Sequence, residues 1–161
     1  MQNKVLNLLR ENSRISCQEI ADRLNISVAE ASEIIAALER NKIVCGYTVI
    51  VNEAALSGAK KVQALIEVKV TPQRDGGFDK VAKRIALFDE VKELALVSGG
   101  YDLLLTVEGD TLQEVAGFVS EKLSTIEGVL STATSFQLKK YKEAGKTIEF
   151  TDEYERLKVC P

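Results

Sequence analysis

The stretch Ser16-Cys17-Gln18-Glu19-Ile20-Ala21-Asp22-Arg23-Leu24-Asn25-Ile26-Ser27-Val28-Ala29-Glu30 decides the architecture of the first third of the chain. The pattern S-x-x-E occurs in it twice, at Ser16 to Glu19 and at Ser27 to Glu30. In that pattern the serine hydroxyl accepts an orphan backbone N–H of the first helical turn, and the glutamate reaches back to the serine N–H. Each copy therefore opens a helix. The first helix gathers Ile20, Ala21 and Leu24 on one face, and the longer second one carries Ala31, Ile34, Ile35 and Leu38 along its apolar side. Only Asn25-Ile26 separates them. Two helices joined so tightly form a helix-turn-helix, whose second helix is the one that enters a DNA major groove.

Upstream, Val5, Leu6, Leu8 and Leu9 predict a short helix that breaks at Asn12-Ser13-Arg14. Downstream, Ile43-Val44-Cys45-Gly46-Tyr47 reads as a short extended segment, as a wing or exit strand would, and Thr48-Val49-Ile50-Val51 is β-rich. The small-residue stretch 54–61, with Ser57-Gly58, marks a boundary. Beyond it the pattern changes. Residues 62–70 alternate as a strand that ends at Thr71-Pro72, and Phe78, Val81, Ala82, Ile85 and Phe88 follow helical spacing. A second strand over 91–97, a turn at Ser98-Gly99-Gly100 and a third strand over 103–107 come next. Leu112, Val115, Ala116, Val119 and Leu123 form another helical stripe, and a fourth strand over 129–138 closes the unit.

The order is βαββαβ, and its halves echo each other: Phe78, Val81, Ala82 and Ile85 share the mutual spacing of Leu112, Val115, Ala116 and Val119. A duplicated split βαβ gives a ferredoxin-like sandwich. Helices cover one face of its sheet, and the other face requires a partner, so a homodimer is expected. The fold class is α+β, with an N-terminal winged helix-turn-helix over 1–47, a linker with a β-strand over 48–61, the βαββαβ domain over 62–140 and a C-terminal extension over 141–161. In that extension 147–150 and 157–159 could each add a short strand.

Composition narrows the function. The chain has 161 residues, 45% of them apolar and 28% charged, with a net charge of −3 and no histidine or tryptophan. Without histidine there is no Ser-His-Asp or Cys-His arrangement and no imidazole base or metal ligand, so no catalytic residue, metal or cofactor is expected. The net charge argues against a generic basic nucleic-acid coat. Cys17, Cys45 and Cys160 are widely spaced and odd in number, which predicts reduced thiols in a cytoplasm, buried or half-buried as small fillers, with Cys160 the most exposed. There is no basic-then-apolar leader and no apolar run of the roughly 20 residues a membrane helix needs, so a cytoplasmic location away from membranes is expected.

This layout resembles the leucine-responsive/asparagine-regulator (Lrp/AsnC) family of transcriptional regulators. The resemblance covers nearly the whole chain: Ser27 opening the second helix, Leu38-Glu39-Arg40, Gly46-Tyr47-Thr48, then Leu96 to Asp102, and Gly128-Val129 with Ser131-Thr132-Ala133-Thr134. It implies homodimers assembling into larger rings such as octamers, DNA bound through the N-terminal helices, and an amino acid or similar small effector bound by the second domain between dimers. The family's effector pocket maps onto Ser98, Gly99, Gly100, Tyr101 and Asp102 and onto Thr132 and Thr134. The chemistry agrees: the glycines permit positive φ and close backbone approach, Asp102 suits an ammonium group, and the threonines offer hydroxyls. The siroheme decarboxylases share the two-part layout but rely on histidines, so the resemblance implies no enzyme here.

One departure from the family concerns DNA. Positions where relatives carry basic side chains toward the groove match Ile34, Ala36 and Ala37, and Lys42 stands where a helix-ending glycine is usual, leaving Asn41 as the expected left-handed cap. Over residues 1–50 six basic side chains balance six acidic ones. Phosphate neutralisation supplies most non-specific affinity, so double-stranded DNA is expected to bind weakly per monomer, with avidity compensating. Arg14, Arg23, Arg40 and Lys42 remain for phosphates, and Gln18, Ser27 and Ser32 for phosphates or bases. The alternative is an effector-binding oligomer whose neutral, apolar helix-turn-helix has weak or lost DNA binding and serves assembly or a protein partner.

Overall fold

The computed structural model describes residues 1–58, 61–72 and 77–148. The chain divides between Ile50 and Val51 into two compact units.

In the first unit α1 (Gln2–Glu11), α2 (Cys17–Leu24) and α3 (Val28–Arg40) enclose a core of Val5, Leu9, Ile15, Ile20, Ala21, Ala31 and Leu38. Both helix starts are where the serines put them. Ser16 and Glu19 close a reciprocal capping box, whereas Ser27 accepts from the Glu30 N–H without a return bond from the Glu30 side chain. The α2–α3 joint turns on Asn25, which takes the left-handed conformation (φ 53°) that asparagine tolerates.

At the end of α3 the left-handed residue is Lys42 (φ 57°), not Asn41 (φ −81°). The Lys42 N–H donates to the Glu39 carbonyl at 3.0 Å and the Ile43 N–H to the Leu38 carbonyl at 2.9 Å. This closure of the last turn puts the positive φ on the residue before the long-range donor. Residues 43–50, expected to be extended and β-rich, join no sheet, and Tyr47, Val49 and Ile50 are exposed. Strand formation needs a paired edge, and the described residues supply none here. In the linker the regular element is a 3₁₀ turn, Glu53–Ala55.

The second unit is the predicted βαββαβ. Strands β1 (Val62–Val70), β2 (Val91–Leu96), β3 (Leu103–Gly109) and β4 (Val129–Phe136) form an antiparallel sheet in the order β2-β3-β1-β4. This is the ferredoxin-like topology. Helices α4 (Asp79–Ile85) and α5 (Leu112–Gly117) cover the face presenting Ala64, Ile66, Val68, Leu103, Leu105 and Val107. The other face presents Leu65, Glu67, Lys69, Leu104, Thr106 and Glu108, as the register dictates.

The second helical stripe departs from its expected spacing. After α5 the backbone widens into a π-type turn, Phe118–Lys122, and then tightens into a 3₁₀ turn, Leu123–Thr125. The widened turn carries the chain one residue further around the axis. Val115 and Phe118, three residues apart, are buried, the widened turn then brings Leu123, five residues on, into the core, and Leu112 and Ala116 are exposed. Phe118 then meets Phe88 edge-on, with ring centroids 5.5 Å apart.

Past the sheet, β5 (Lys142–Glu143) and β6 (Lys146–Thr147) form a hairpin through Ala144-Gly145, both at positive φ as a two-residue hairpin turn requires. It overlaps the start of the strand expected at 147–150; the strand expected at 157–159 and Cys160 lie outside the described residues. Cys17 is half-buried against the first core, but Cys45 is exposed, contrary to the filler reading, and its Sγ lies 3.2 Å from the Lys42 carbonyl it donates to. No helix among the described residues is long and apolar enough to cross a membrane.

Candidate functional site

On α3, at 100° per residue, Ala31, Ile34, Ile35 and Leu38 share one side, and all four lie in or against the core. Ile34 therefore packs toward the core and not outward; the expectation that it would stand on the outward face is corrected by the same helical periodicity that makes it a core residue. Ala36 and Ala37 are half-buried. The ridge opposite the core runs Ala29, Glu33, Ala36, Arg40.

All seven candidate DNA contacts, Arg14, Gln18, Arg23, Ser27, Ser32, Arg40 and Lys42, are exposed on the first unit. Their side chains are differently occupied. The Gln18 amide donates to Asp22 at 2.8 Å, Ser27 serves as the α3 cap, and Arg40 pairs with Glu33 at 3.2 Å. Arg23 sits one turn after Glu19 and helps hold its carboxyl below the ordinary range, though hydrogen bonds from the Ser16 backbone and hydroxyl are the larger causes. Arg14, Ser32 and Lys42 make no side-chain hydrogen bond or ion pair among the described residues.

Sequence reasoning missed Glu33 and the contact in which the Tyr47 hydroxyl donates to Glu39 at 2.8 Å. Although the Tyr47 ring is largely exposed, partial desolvation of the hydroxyl beside Glu39, and then that bond, push it above its ordinary pKa. The ridge spacing Glu33 to Arg40 was the available signal for the first; nothing in the linear pattern announced the second.

In the second unit the 98–102 turn connects β2 to β3. The Val97 N–H donates to the Asp102 carbonyl at 2.9 Å, and the Asp102 N–H donates to the Val68 carbonyl at 3.0 Å. The Asp102 carboxylate accepts the Val70 N–H through Oδ2 at 2.9 Å. That bond falls where the β1–β4 register shifts between Lys69 and Val70, so Asp102 pairs an N–H at an irregularity of the ladder. Asp102 is thus first a structural cap.

Gly99 and Gly100 do not have positive φ, which corrects the conformational reason expected for them; in this unit that geometry falls to Gly58, Gly77, Gly128 and Gly145. The turn closes through Asp102 instead. A Cβ at either Gly99 or Gly100 would meet nothing within 4 Å, so neither backbone geometry nor packing inside one chain calls for glycine there. Both flank the exposed Ser98 and half-buried Tyr101. Thr132 and Thr134 pair with Val68 and Ile66 on β4, an edge strand. Asp102 and Thr132 therefore lie at the same end of the sheet on opposite sides of β1, roughly 10 Å apart by strand spacing. Within one chain they do not close a pocket together. An open cleft of about 530 Å³ lies elsewhere, lined by Arg84, Leu87, Phe88, Thr125, Ile126 and Glu127; it was not anticipated. Among the described residues no group of three or more acidic or cysteine side chains could hold a metal.

Comparison with known proteins follows the same division. The profile of the Lrp/AsnC ligand binding domain matches residues 63–147, and that of a winged helix-turn-helix DNA-binding domain matches residues 2–44. An HTH-type transcriptional regulator of Bacillus subtilis, YugG, is 44% identical over 160 residues, 99% of this chain and 96% of that one. The leucine-responsive regulatory protein of Rhizobium meliloti is 30% identical over 141 residues, 88% of this chain and 89% of its own. The solved transcriptional regulator NMB0573 of Neisseria meningitidis, an L-Met complex, superposes with a TM-score of 0.67 at 26% identity, covering 88% of this chain and 90% of that one.

Proposed function

This chain belongs to the Lrp/AsnC family of DNA-binding transcriptional regulators, and from that premise we propose that an amino acid held at the 98–102 turn biases its reading of DNA. The observation that carries the effector reading is the pair Gly99 and Gly100: their backbone is bare toward the space outside the chain, with no internal reason to be so. Exposed N–H groups there suit an α-carboxylate, and the second Asp102 oxygen, next to the one that caps Val70, suits an α-ammonium. Ser98 and Tyr101 rim the turn, and Thr132 and Thr134 supply hydroxyls from a neighbouring edge. Because one chain does not close this site, a second copy completes it. The Neisseria relative's L-Met complex supports an amino acid as the ligand class.

The open sheet face, with Leu65 and Leu104 among charged neighbours, supports a homodimer, and the unpaired outer edge of β4 leaves a surface for larger rings such as an octamer. The effector then works by population shift, favouring the assembly whose DNA-reading helices have the spacing of the operator. Arg14, Arg23, Arg40 and Lys42 hold phosphates while Gln18, Ser27 and Ser32 approach phosphates or bases, in a cytoplasmic regulator without enzymatic activity. The alternative, a helix-turn-helix turned to assembly, drew its support from a neutral, apolar face at Ile34 and Ala37; Ile34 packs against the core and Ala37 is half-buried, which leaves that face little apolar surface.

Gel-shift titration against promoter fragments, with salt and each standard amino acid as variables, tests this reading. Salt-sensitive binding at micromolar protein, altered by a subset of amino acids, is expected. Absence of salt-sensitive binding under all of these conditions refutes it.

A further inference from the structure

We propose that Glu33 is the base-discriminating residue of α3, accepting a hydrogen bond from the N4 amino group of a cytosine. The inference rests on the DNA-binding reading. The ridge of α3 opposite the core is Ala29, Glu33, Ala36, Arg40, so Glu33 is the long polar side chain in its first two turns, the part of a recognition helix that meets base edges. Its side chain is 72% exposed.

A carboxylate carried into a phosphate-lined groove is repelled. It becomes favourable only where it meets a donor. The major-groove edges offer two, the cytosine N4 amino and the adenine N6 amino, and adenine places the N7 acceptor beside its donor, which turns a carboxylate away. Cytosine is the remaining partner. Arg40 makes this arrangement workable. Its Nη2 lies 3.2 Å from Glu33 Oε1, offsetting the charge and leaving Oε2, which has no hydrogen bond among the described residues, to accept from the base. The exposed pair is weak enough to reorient on contact, with the guanidinium still able to reach a phosphate. Ala29 and Ala36, on either side, present methyl groups suited to thymine methyls, so the cytosine is flanked by A·T pairs.

Selection of binding sites from randomised duplex DNA by the full chain tests this, using wild type, Glu33→Gln and Glu33→Ala; the exposed position leaves folding unaffected, which circular dichroism checks. One position in each half-site is expected to read cytosine with wild type, adenine with Glu33→Gln and no preferred base with Glu33→Ala. Replacing that C·G pair weakens wild-type binding by about 5- to 150-fold, the range of one good base contact, and leaves Glu33→Ala unchanged. A motif identical in all three proteins overturns the assignment, as does a Glu33→Ala protein that binds every sequence more tightly with an unaltered motif. Failure of wild type to enrich any sequence refutes the DNA-binding reading itself, a result distinct from either.

Discussion

Lys42 holds a left-handed backbone, φ 57°, just after α3. An L residue there costs about 1–2 kcal/mol relative to the right-handed region. Glycine removes that cost but adds back roughly 0.5–1 kcal/mol of unfolded-chain entropy. Lys42→Gly is therefore expected to stabilise the first unit by about 0.5–1 kcal/mol, and Lys42→Ala, which keeps the strain and removes the same charge, to stay within about 0.5 kcal/mol of wild type. With a urea slope of about 1 kcal/mol/M for so small a unit, the glycine variant should shift the midpoint upward by roughly 0.5–1 M. Helical circular dichroism during urea unfolding, at one fixed protein concentration because the protein is expected to oligomerise, reads the difference. Both variants lose the same cation, so both should flatten the salt dependence of DNA binding by about 0.9 per lost phosphate contact. A glycine variant no more stable than the alanine variant refutes the argument that positive φ at Lys42 stores strain. Flattened salt dependence in only one of them refutes the phosphate role.

Asp102→Asn keeps an acceptor for the Val70 N–H while losing the charge, so it should fold normally yet lose any thermal-shift response to amino acids; Asp102→Ala leaves that N–H unpaired and should cost about 1–3 kcal/mol. Equal stability of the two variants would remove the capping role. The Glu19 carboxyl, held below its ordinary range by hydrogen bonds from Ser16, contributes stability that is present above that range and lost as pH falls through the lowered value. Ser16→Ala should cost about 1 kcal/mol at neutral pH through the lost cap and flatten part of this acid-side loss, the Ser16 backbone N–H still donating to Glu19, measured by thermal unfolding from neutral pH to below the carboxylate range; an unchanged acid profile contradicts it.

The parts of the fold that were legible in the sequence are those governed by local rules. Ser16 and Ser27 placed the starts of α2 and α3 because capping is a matter of four consecutive residues. The alternation through Val62–Val70 gave β1 with the burial expected, because a half-covered sheet forces period two. Phe118 lies at ordinary helical spacing from Val115, yet the expected stripe runs through Ala116 and Val119 instead. Only the structure reveals the widened turn that begins at Phe118, which lets Phe118 and Leu123, five residues apart, share the core. Val49 and Ile50 looked like strand residues and have the propensity for it, but a strand exists only where a partner's backbone groups are available.

The candidate site divides in the same way. Residue order and type alone established two units, an absence of histidine chemistry, and a Gly-Gly-Tyr-Asp turn beside a Thr-x-Thr strand, since each is a local or compositional property. Folding settled which way each side chain points. It set Ile34 against the core, on the apolar side that helical spacing already gave it with Ala31, Ile35 and Leu38, and left Glu33 on the opposite ridge. It also committed one Asp102 oxygen to the Val70 N–H, 32 positions away in the chain, and left Gly99 and Gly100 bare without strain. The Asp102 bond joins segments distant in sequence, and no local pattern encodes it or the turn geometry it imposes.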